Sequence, residues 1–454
     1  MQPTNRRAAA MRCARNVAGQ RTTHRSFRLL ASKASILPLL IWGGVLSFAA
    51  AEKPARAQEE PAPRPAIDLR GALEKALAHN KDLAAFEYRL AEQQGRVEQA
   101  GLLPNPQLDL LVEDALGSGE FEDFDSAQTT LSLGWLLEGW VRKPRVGAAE
   151  AGVDLAAADA RILRVDVAAD TAEHFLASLA SQARLARAEE AIALSERTVA
   201  AVTRRVRAGK APRAELVRAE AELATDRLAR DDVTHEQSAA YHRLAAQWGE
   251  TEPGFSRVEG DLLTLPSVES YSLLQAELER IPRLERYATE ERLAKANLRL
   301  AEARRWPAVR PHVGVRRLEA TNDTALVAGI TVPVPLLDRN QGAVAESRAS
   351  VSRVRAEADS ARVRIQTTLF ELYEELEHYF HRAETLRVEV IPRLGLALEE
   401  TRQAYERGRY GYFELQSVQA DLLRAQSDLI EASAGTHRLV IALERLTGNL
   451  VVKQ

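Results

Sequence analysis

Two stretches of this chain, 199 residues apart, carry one pattern. Gly209-Lys-Ala-Pro-Arg-Ala-Glu-Leu216 matches Gly408-Arg-Tyr-Gly-Tyr-Phe-Glu-Leu415 at its Gly, Glu and Leu. At the same offset Ala221-Glu222-Leu223 meets Ala420-Asp421-Leu422, and Gly249 meets Gly448. Upstream, Pro104 pairs with Pro307 at an offset of 203, and Ala149-Glu150 with Ala345-Glu346 at 196, the drift that loop insertions produce. An internal repeat constrains the architecture more than any local pattern. The expected organisation is a leader (1–57), a first unit (58–248), a linker (249–267) and a second unit (268–454).

Each unit reads in the same order. A helical stretch comes first, over about 68–102 and again over 268–305, and a proline ends it. Period-two segments follow, which argue for strands paired as hairpins. In the first unit they are Leu108, Leu110, Val112 and then Leu131, Leu133, Trp135, separated by the turn-rich Gly117 to Ser126. The second unit has Val313, Val315 and then Leu326, Ala328, Ile330, Val332, Val334.

Long helices come next, over about 142–207 and from about 344. Their seams repeat every seven residues: Leu155, Ile162, Ala169, Leu176, Ala183 with Ala158, Val165, Ala172, Leu179, Ala186, Ala193, Ala200. The second unit offers Val344, Val351, Ala358, Ile365, Leu372, Tyr379, Leu386. This is coiled-coil patterning. A helix of some 65 residues is roughly 100 Å long, longer than a single globular core. After the turns at Gly209 and Gly408 a second helix returns, giving antiparallel helical hairpins.

The N-terminus reads as a secretory leader. Eight basic residues from Arg6 to Lys33, with no acid among them, precede the apolar run Ile36–Ala50, and Ala55-Arg56-Ala57 offers a small-residue cleavage site. The net charge of −3 then becomes −12, from 51 basic and 63 acidic residues in the exported body. Cys13, the one cysteine, leaves with the leader. A cysteine-based metal site and an internal disulfide are excluded, and the charge balance gives no nucleic-acid footprint. The sequence shows no phosphate-binding loop, nucleophile elbow or paired-carboxylate motif. An enzyme is not expected, and no cofactor is implied.

Four strands pose a counting problem. They cannot close a membrane barrel, since the smallest have about 8, and an open sheet exposes edges and one apolar face. One solution is a small soluble sheet capping the helices of a periplasmic coiled-coil protein. The other is that several chains pool their strands, the way for an exported chain without a spanning helix to cross a membrane.

The arrangement resembles the TolC-like outer-membrane efflux factors over nearly the whole exported chain. Three motifs resemble the cobalt-zinc-cadmium (heavy-metal) branch: Leu103-Pro-Asn-Pro-Gln-Leu108, Leu136-Leu-Glu-Gly-Trp-Val-Arg-Lys-Pro-Arg145 and Val332-Pro-Val-Pro-Leu-Leu-Asp-Arg-Asn-Gln-Gly342. The second departs from the branch pattern at Trp140, Val141 and Pro144. The resemblance implies a mainly α fold with a small β part, in which a homotrimer forms a 12-stranded barrel in outer-membrane lipid above a periplasmic helical tunnel. It also implies a passive exit duct coupled through a periplasmic adaptor protein to an inner-membrane pump. Metals, drugs and secreted polymers are all carried by ducts of this fold.

Site residues follow from the same resemblance. Arg205–Leu216 and Arg407–Leu415 match the periplasmic tip, where Gly209, Leu216, Gly408 and Leu415 fit the family's adaptor-docking pattern. Glu414, with Glu215 as its first-unit counterpart, matches an acidic position facing the closed aperture, where three copies make a carboxylate ring. The glycines also have a plain reading as chain-reversal residues. His378 and His381, at i and i+3 beside Glu374, Glu375 and Glu377, share one helix face, which a divalent metal can bind or which can simply be a polar surface. No metal site is assigned to them.

Overall fold

A computed structural model describes residues 65–267 and 270–448, within a single unit of the chain. The expected leader and Cys13 lie outside the described residues.

The chain enters through a short strand, β1 (Ala66–Asp68), and helix α1 (Leu69–His79). Helix α2 (Lys81–Gly101) follows at once. One helix was expected here, but Asn80 divides it. Its backbone is extended, its N–H closes α1 onto Ala76, and its side-chain oxygen accepts from Asp82 and Leu83 at the start of α2. Ending one helix and capping the next in a single residue is what Asn does well.

Strands β2 (Gln107–Glu113) and β3 (Gln128–Gly134) form the first hairpin. Helix α3 (Gly139–Arg207) runs 69 residues, and α4 (Arg213–Ala246) returns beside it. Pro144 lies within α3, in its second turn, so the helix is not free of proline. There it leaves the Trp140 carbonyl without its i+4 donor, a local defect in the helix ladder. Strand β4 (Arg257–Glu259) crosses the expected linker and pairs in parallel with β1, which period-two reading of so short a segment does not reveal. The pair is pinned by a core of Ile67, Phe175, Leu244, Trp248, Phe255 and Val258.

The second half repeats the order. Helix α5 (Tyr271–Ala276), a 3-10 turn and α6 (Pro282–Ala303) replace the single expected helix, since Pro282 can start a helix but not continue one. Strands β5 (Arg310–Leu318) and β6 (Asp323–Thr331) lead into α7 (Gln341–Thr385). A π-helical turn, Leu386–Val390, separates α7 from α8 (Ile391–Glu406). Pro392 explains it. In an unbroken helix its ring would meet the Val388 carbonyl, to which it has no N–H to donate, and the wider turn absorbs the mismatch. Helix α9 (Tyr412–Thr447) closes the second hairpin.

The four hairpin strands form one antiparallel sheet in the order β2-β3-β5-β6, so β2 and β6 are its edges. The two units therefore join through β3 and β5.

The expected heptad seams hold only over part of each helix. Ala169, Leu176 and Ala172 of α3 are buried, but Ala186, Ala193 and Ala200 face outward. Burial moves to Ser181, Ala188, Ser195 and Val202. In α7 the buried line shifts from Val344 and Val351 to Leu369, Leu376 and Ala383, while Ile365, Leu372 and Tyr379 are half-buried. An α-helix drifts by about 20° per heptad against a 3.5 repeat. Over ten heptads α3 also changes neighbours, from α2 and α6 to α4 and α9.

Candidate functional site

The sheet register sorts the strand residues onto two faces, because directly paired residues share a face. Leu108 pairs with Leu133, Leu133 with Val313 and Val313 with Ala328. One step on, Leu110 pairs with Leu131, Leu131 with Val315 and Val315 with Leu326. Over these two rows the face is apolar across all four strands and bare, with Leu326 78% and Leu108 70% exposed, and the next row, at the hairpin ends, is Val112, Thr129, Arg317 and Thr324. Trp135 and Val332 continue it past the strand ends.

The other face carries Asp109, Glu113, Gln128, Thr130, Ser132, His312 and Arg316. Arg316 ties it together, with Nε donating to Thr130 at 2.9 Å, Nη1 to Gln128 at 3.0 Å and Nη2 reaching Glu113 at 3.4 Å. The alternation marks this face as polar, but the network spans residues 113 to 316 and needs the register to be found.

Where the sheet meets the helices, α3 caps α2. Arg145 Nε donates to the Ala100 carbonyl at 2.8 Å and its Nη2 to Leu102 at 2.9 Å, while Glu138 pairs with its third nitrogen. Arg142 donates to Gly101 at 2.7 Å. These are carbonyls that the end of a helix leaves without partners. In the second half Asn340 takes that role, donating to the Ala301 carbonyl of α6 at 2.7 Å. The motifs 136–145 and 332–342 thus provide equivalent joints through different residues.

At the far end of the helices the two hairpin turns pack together. Both end in the same motif. Lys210 N–H bonds the Arg205 carbonyl at 2.8 Å and Gly209 N–H that of Val206 at 3.0 Å. Arg409 bonds Ala404 and Gly408 bonds Tyr405, each at 2.9 Å. Gly209 and Gly408 hold φ of +68° and +79°, a region that favours glycine, so their chain-reversal role is plain in the geometry. Leu415 is buried and Leu216 half-buried in one cluster with Val202, Ala219, Tyr405 and Tyr412, so neither leucine is a free surface knob.

The two glutamates differ. Glu414 is exposed, and its Oε2 accepts from the Gly411 N–H at 3.1 Å, capping α9. Glu215 occupies the same position of α4, but Pro212 stands at that helix's N-cap and has no N–H to offer. Its carboxylate instead accepts from the Tyr405 hydroxyl at 3.2 Å, across the two hairpins.

Arg205 completes this contact. Its guanidinium lies 4.3 Å from the Tyr405 ring centroid and donates to the Tyr405 carbonyl. Burial, with the Glu215 charge adding to it, pushes the Tyr405 hydroxyl up to about 12. The sequence reading passed over Tyr405. Its signal was available, because at the offset of 199 it replaces Val206.

His378 and His381 are both exposed on α7. Among the described residues no group of three or more His, Cys, Asp or Glu side chains gathers as metal ligands.

The model of the family "outer membrane efflux protein" matches residues 72–250. The cobalt-zinc-cadmium resistance protein CzcC of Cupriavidus metallidurans is 28% identical over 383 residues, 84% of this chain and 90% of that protein. The nickel and cobalt resistance protein CnrC of the same organism is 29% identical over 290 residues, 63% of this chain and 68% of CnrC. Among solved structures, the Vibrio cholerae outer membrane protein VceC superposes with a TM-score of 0.68 at 18% identity, covering 84% of this chain and 96% of VceC. CusC, described as forming a transmembrane channel, gives 0.67 at 16%, covering 84% and 91%. The fold is that of the TolC-like outer-membrane channels, and residues 72–250 match the outer membrane efflux protein family.

Proposed function

We propose that the chain is the outer-membrane exit duct of a tripartite efflux system that exports heavy-metal cations. One observation carries the reading: a four-stranded sheet with one face apolar over its central rows, one largely polar face and two open edges. Such a sheet is unstable in water and complete only in lipid, with its edges paired. Among the described residues no helix is long and apolar enough to cross a membrane, so the strands are the elements suited to span it.

Three copies, joined edge to edge through β2 and β6, give 12 strands with the polar face inward, as the family resemblance implies. The chain consists of two structural repeats, 58–248 and 268–454, a division supported by the recurring order of elements. The duct is passive and carries out no reaction of its own. The relatives named for cobalt, zinc, cadmium and nickel resistance support the cation substrate.

The hairpin turns around Gly209 and Gly408 form the adaptor-facing tip, and Leu216 and Leu415 shape it from beneath. Glu414, exposed and held by its cap, is the better aperture residue. Glu215 is engaged with Tyr405 and serves the tip's internal structure. Replacing Glu414 by Gln should lower cation preference in planar bilayers more than Glu215→Gln does, and unchanged selectivity in the former contradicts the ring. A deletion strain should lose resistance to cobalt, zinc or cadmium and keep that to lipophilic drugs. The reverse pattern would replace the metal reading with a drug duct.

A further inference from the structure

The joint between sheet and helices holds an open cleft of about 680 Å³. Its walls come from the start of α3, the end of α6 and the loop after β6. Arg304, Arg305, Trp306, Val334 and Leu337 line it, together with two engaged carboxylates: Glu138, paired with Arg145, and Asp338, which accepts from the Asn340 N–H. Among the described residues neither Arg304 nor Arg305 makes an ion pair or a side-chain hydrogen bond. Trp306 is 70% exposed and Leu337 91%. Trp135 and Trp140, also exposed, stand at the same end of the strands. The apolar sheet face stops here.

Two unpaired guanidiniums beside an apolar wall, at the edge of an apolar band bearing tryptophans, match a phosphate attached to acyl chains. Tryptophans gather at the depth of lipid headgroups, and basic pockets at the membrane edge bind anionic ones. We propose that this cleft binds an anionic phospholipid of the periplasmic leaflet, with Arg304 and Arg305 on the headgroup phosphate and Trp306 and Leu337 against the acyl chains. A neighbouring copy is a poorer occupant. The segment it would bring beside β6 is the one entering its own β2, and Leu102–Gln107 carries no carboxylate to meet the two arginines.

The inference rests on the membrane placement of the sheet, so the test separates the two. Full-length processed protein is inserted into nanodiscs of phosphatidylethanolamine with increasing cardiolipin or phosphatidylglycerol, and retained lipid is counted by native mass spectrometry. Retention of one anionic lipid per chain over phosphatidylethanolamine is expected. The variant R304Q/R305Q should insert equally and hold that lipid roughly tenfold to thirtyfold less well, with R304K/R305K retaining most of it. Equal retention by wild type and R304Q/R305Q, or no preference over phosphatidylethanolamine, overturns the lipid site and leaves the membrane reading intact. Complete displacement by millimolar inorganic phosphate assigns the cleft to a soluble anion and overturns it too. Failure of the wild type to insert refutes both readings.

Discussion

The sheet and the hairpin tips, joined by the same helices, handle apolar surface in opposite ways. The sheet leaves its leucines and valines bare on one face and its edge strands unpaired. The tip buries Tyr405, Tyr412 and Leu415 within one chain and satisfies most of its polar groups there. On the proposed reading, lipid and further copies complete the first region. The other is finished by its own sequence. A chain that must assemble in a membrane can leave its adhesive surface at the membrane end, whereas a tip in water cannot.

The largest effect should come from breaking the two-faced sheet. Leu110 and Leu111 are adjacent, but the register puts Leu110 on the apolar face and Leu111, opposite Thr130, on the polar one. Leu110→Arg should cost about 2–4 kcal/mol per chain, the penalty for a cation facing lipid, and deplete the protein from outer membranes. Leu111→Arg should leave its level near wild type. Equal losses would mean the faces are wrongly assigned.

At the tip the expected cost is comparable but local. Tyr405→Ala removes a fully buried ring and should lose about 3–5 kcal/mol, seen as faster hydrogen exchange in α4, α8 and α9 with the sheet unchanged. Tyr405→Phe removes only the bond to Glu215 and should cost about 1 kcal/mol.

The same hydroxyl gives a pH test. Its folded value, about 12, lies above the ordinary 10 of a free tyrosine, so the folded tip favours the neutral form. That contribution is complete below pH 10 and is lost as pH rises from about 10 through 12. Alkaline opening of the tip in this window should be weaker in Tyr405→Phe. An identical alkaline profile in both proteins would discard the tyrosine's part.

The smallest effect distinguishes chain reversal from docking at the turns. Gly209→Ala and Gly408→Ala each place a Cβ in open space but at positive φ, costing about 1 kcal/mol. Adaptor affinity should then fall no more than tip stability does. A loss of binding without loss of stability would assign the glycines directly to the docking surface.

Much of this was legible in the sequence. The repeat, both hairpins, the long helices and the turns at Gly209 and Gly408 are set by local periodicity and by residues with restricted backbones. What escaped depends on pairing between distant segments. The β1–β4 pair has three residues per strand, too short for a period to register. Arg316 and Tyr405 act through partners as far as 203 and 200 residues away. The seams of α3 and α7 were right only until helical drift and a change of neighbours moved the buried stripe. Glu215 and Glu414 look equivalent in sequence, and a proline three residues before Glu215 makes them different.

The central claim is that three copies close one sheet through the edges of β2 and β6. Paired cysteines test it directly, one on each edge strand at positions such as Asp109 and Ala325, because the one native cysteine, Cys13, lies in the expected leader. Oxidation in intact outer membranes should give a single covalent species of three chains for the pair in register, with no larger product. A ladder that continues past three, or a closed species of another number, would contradict the account.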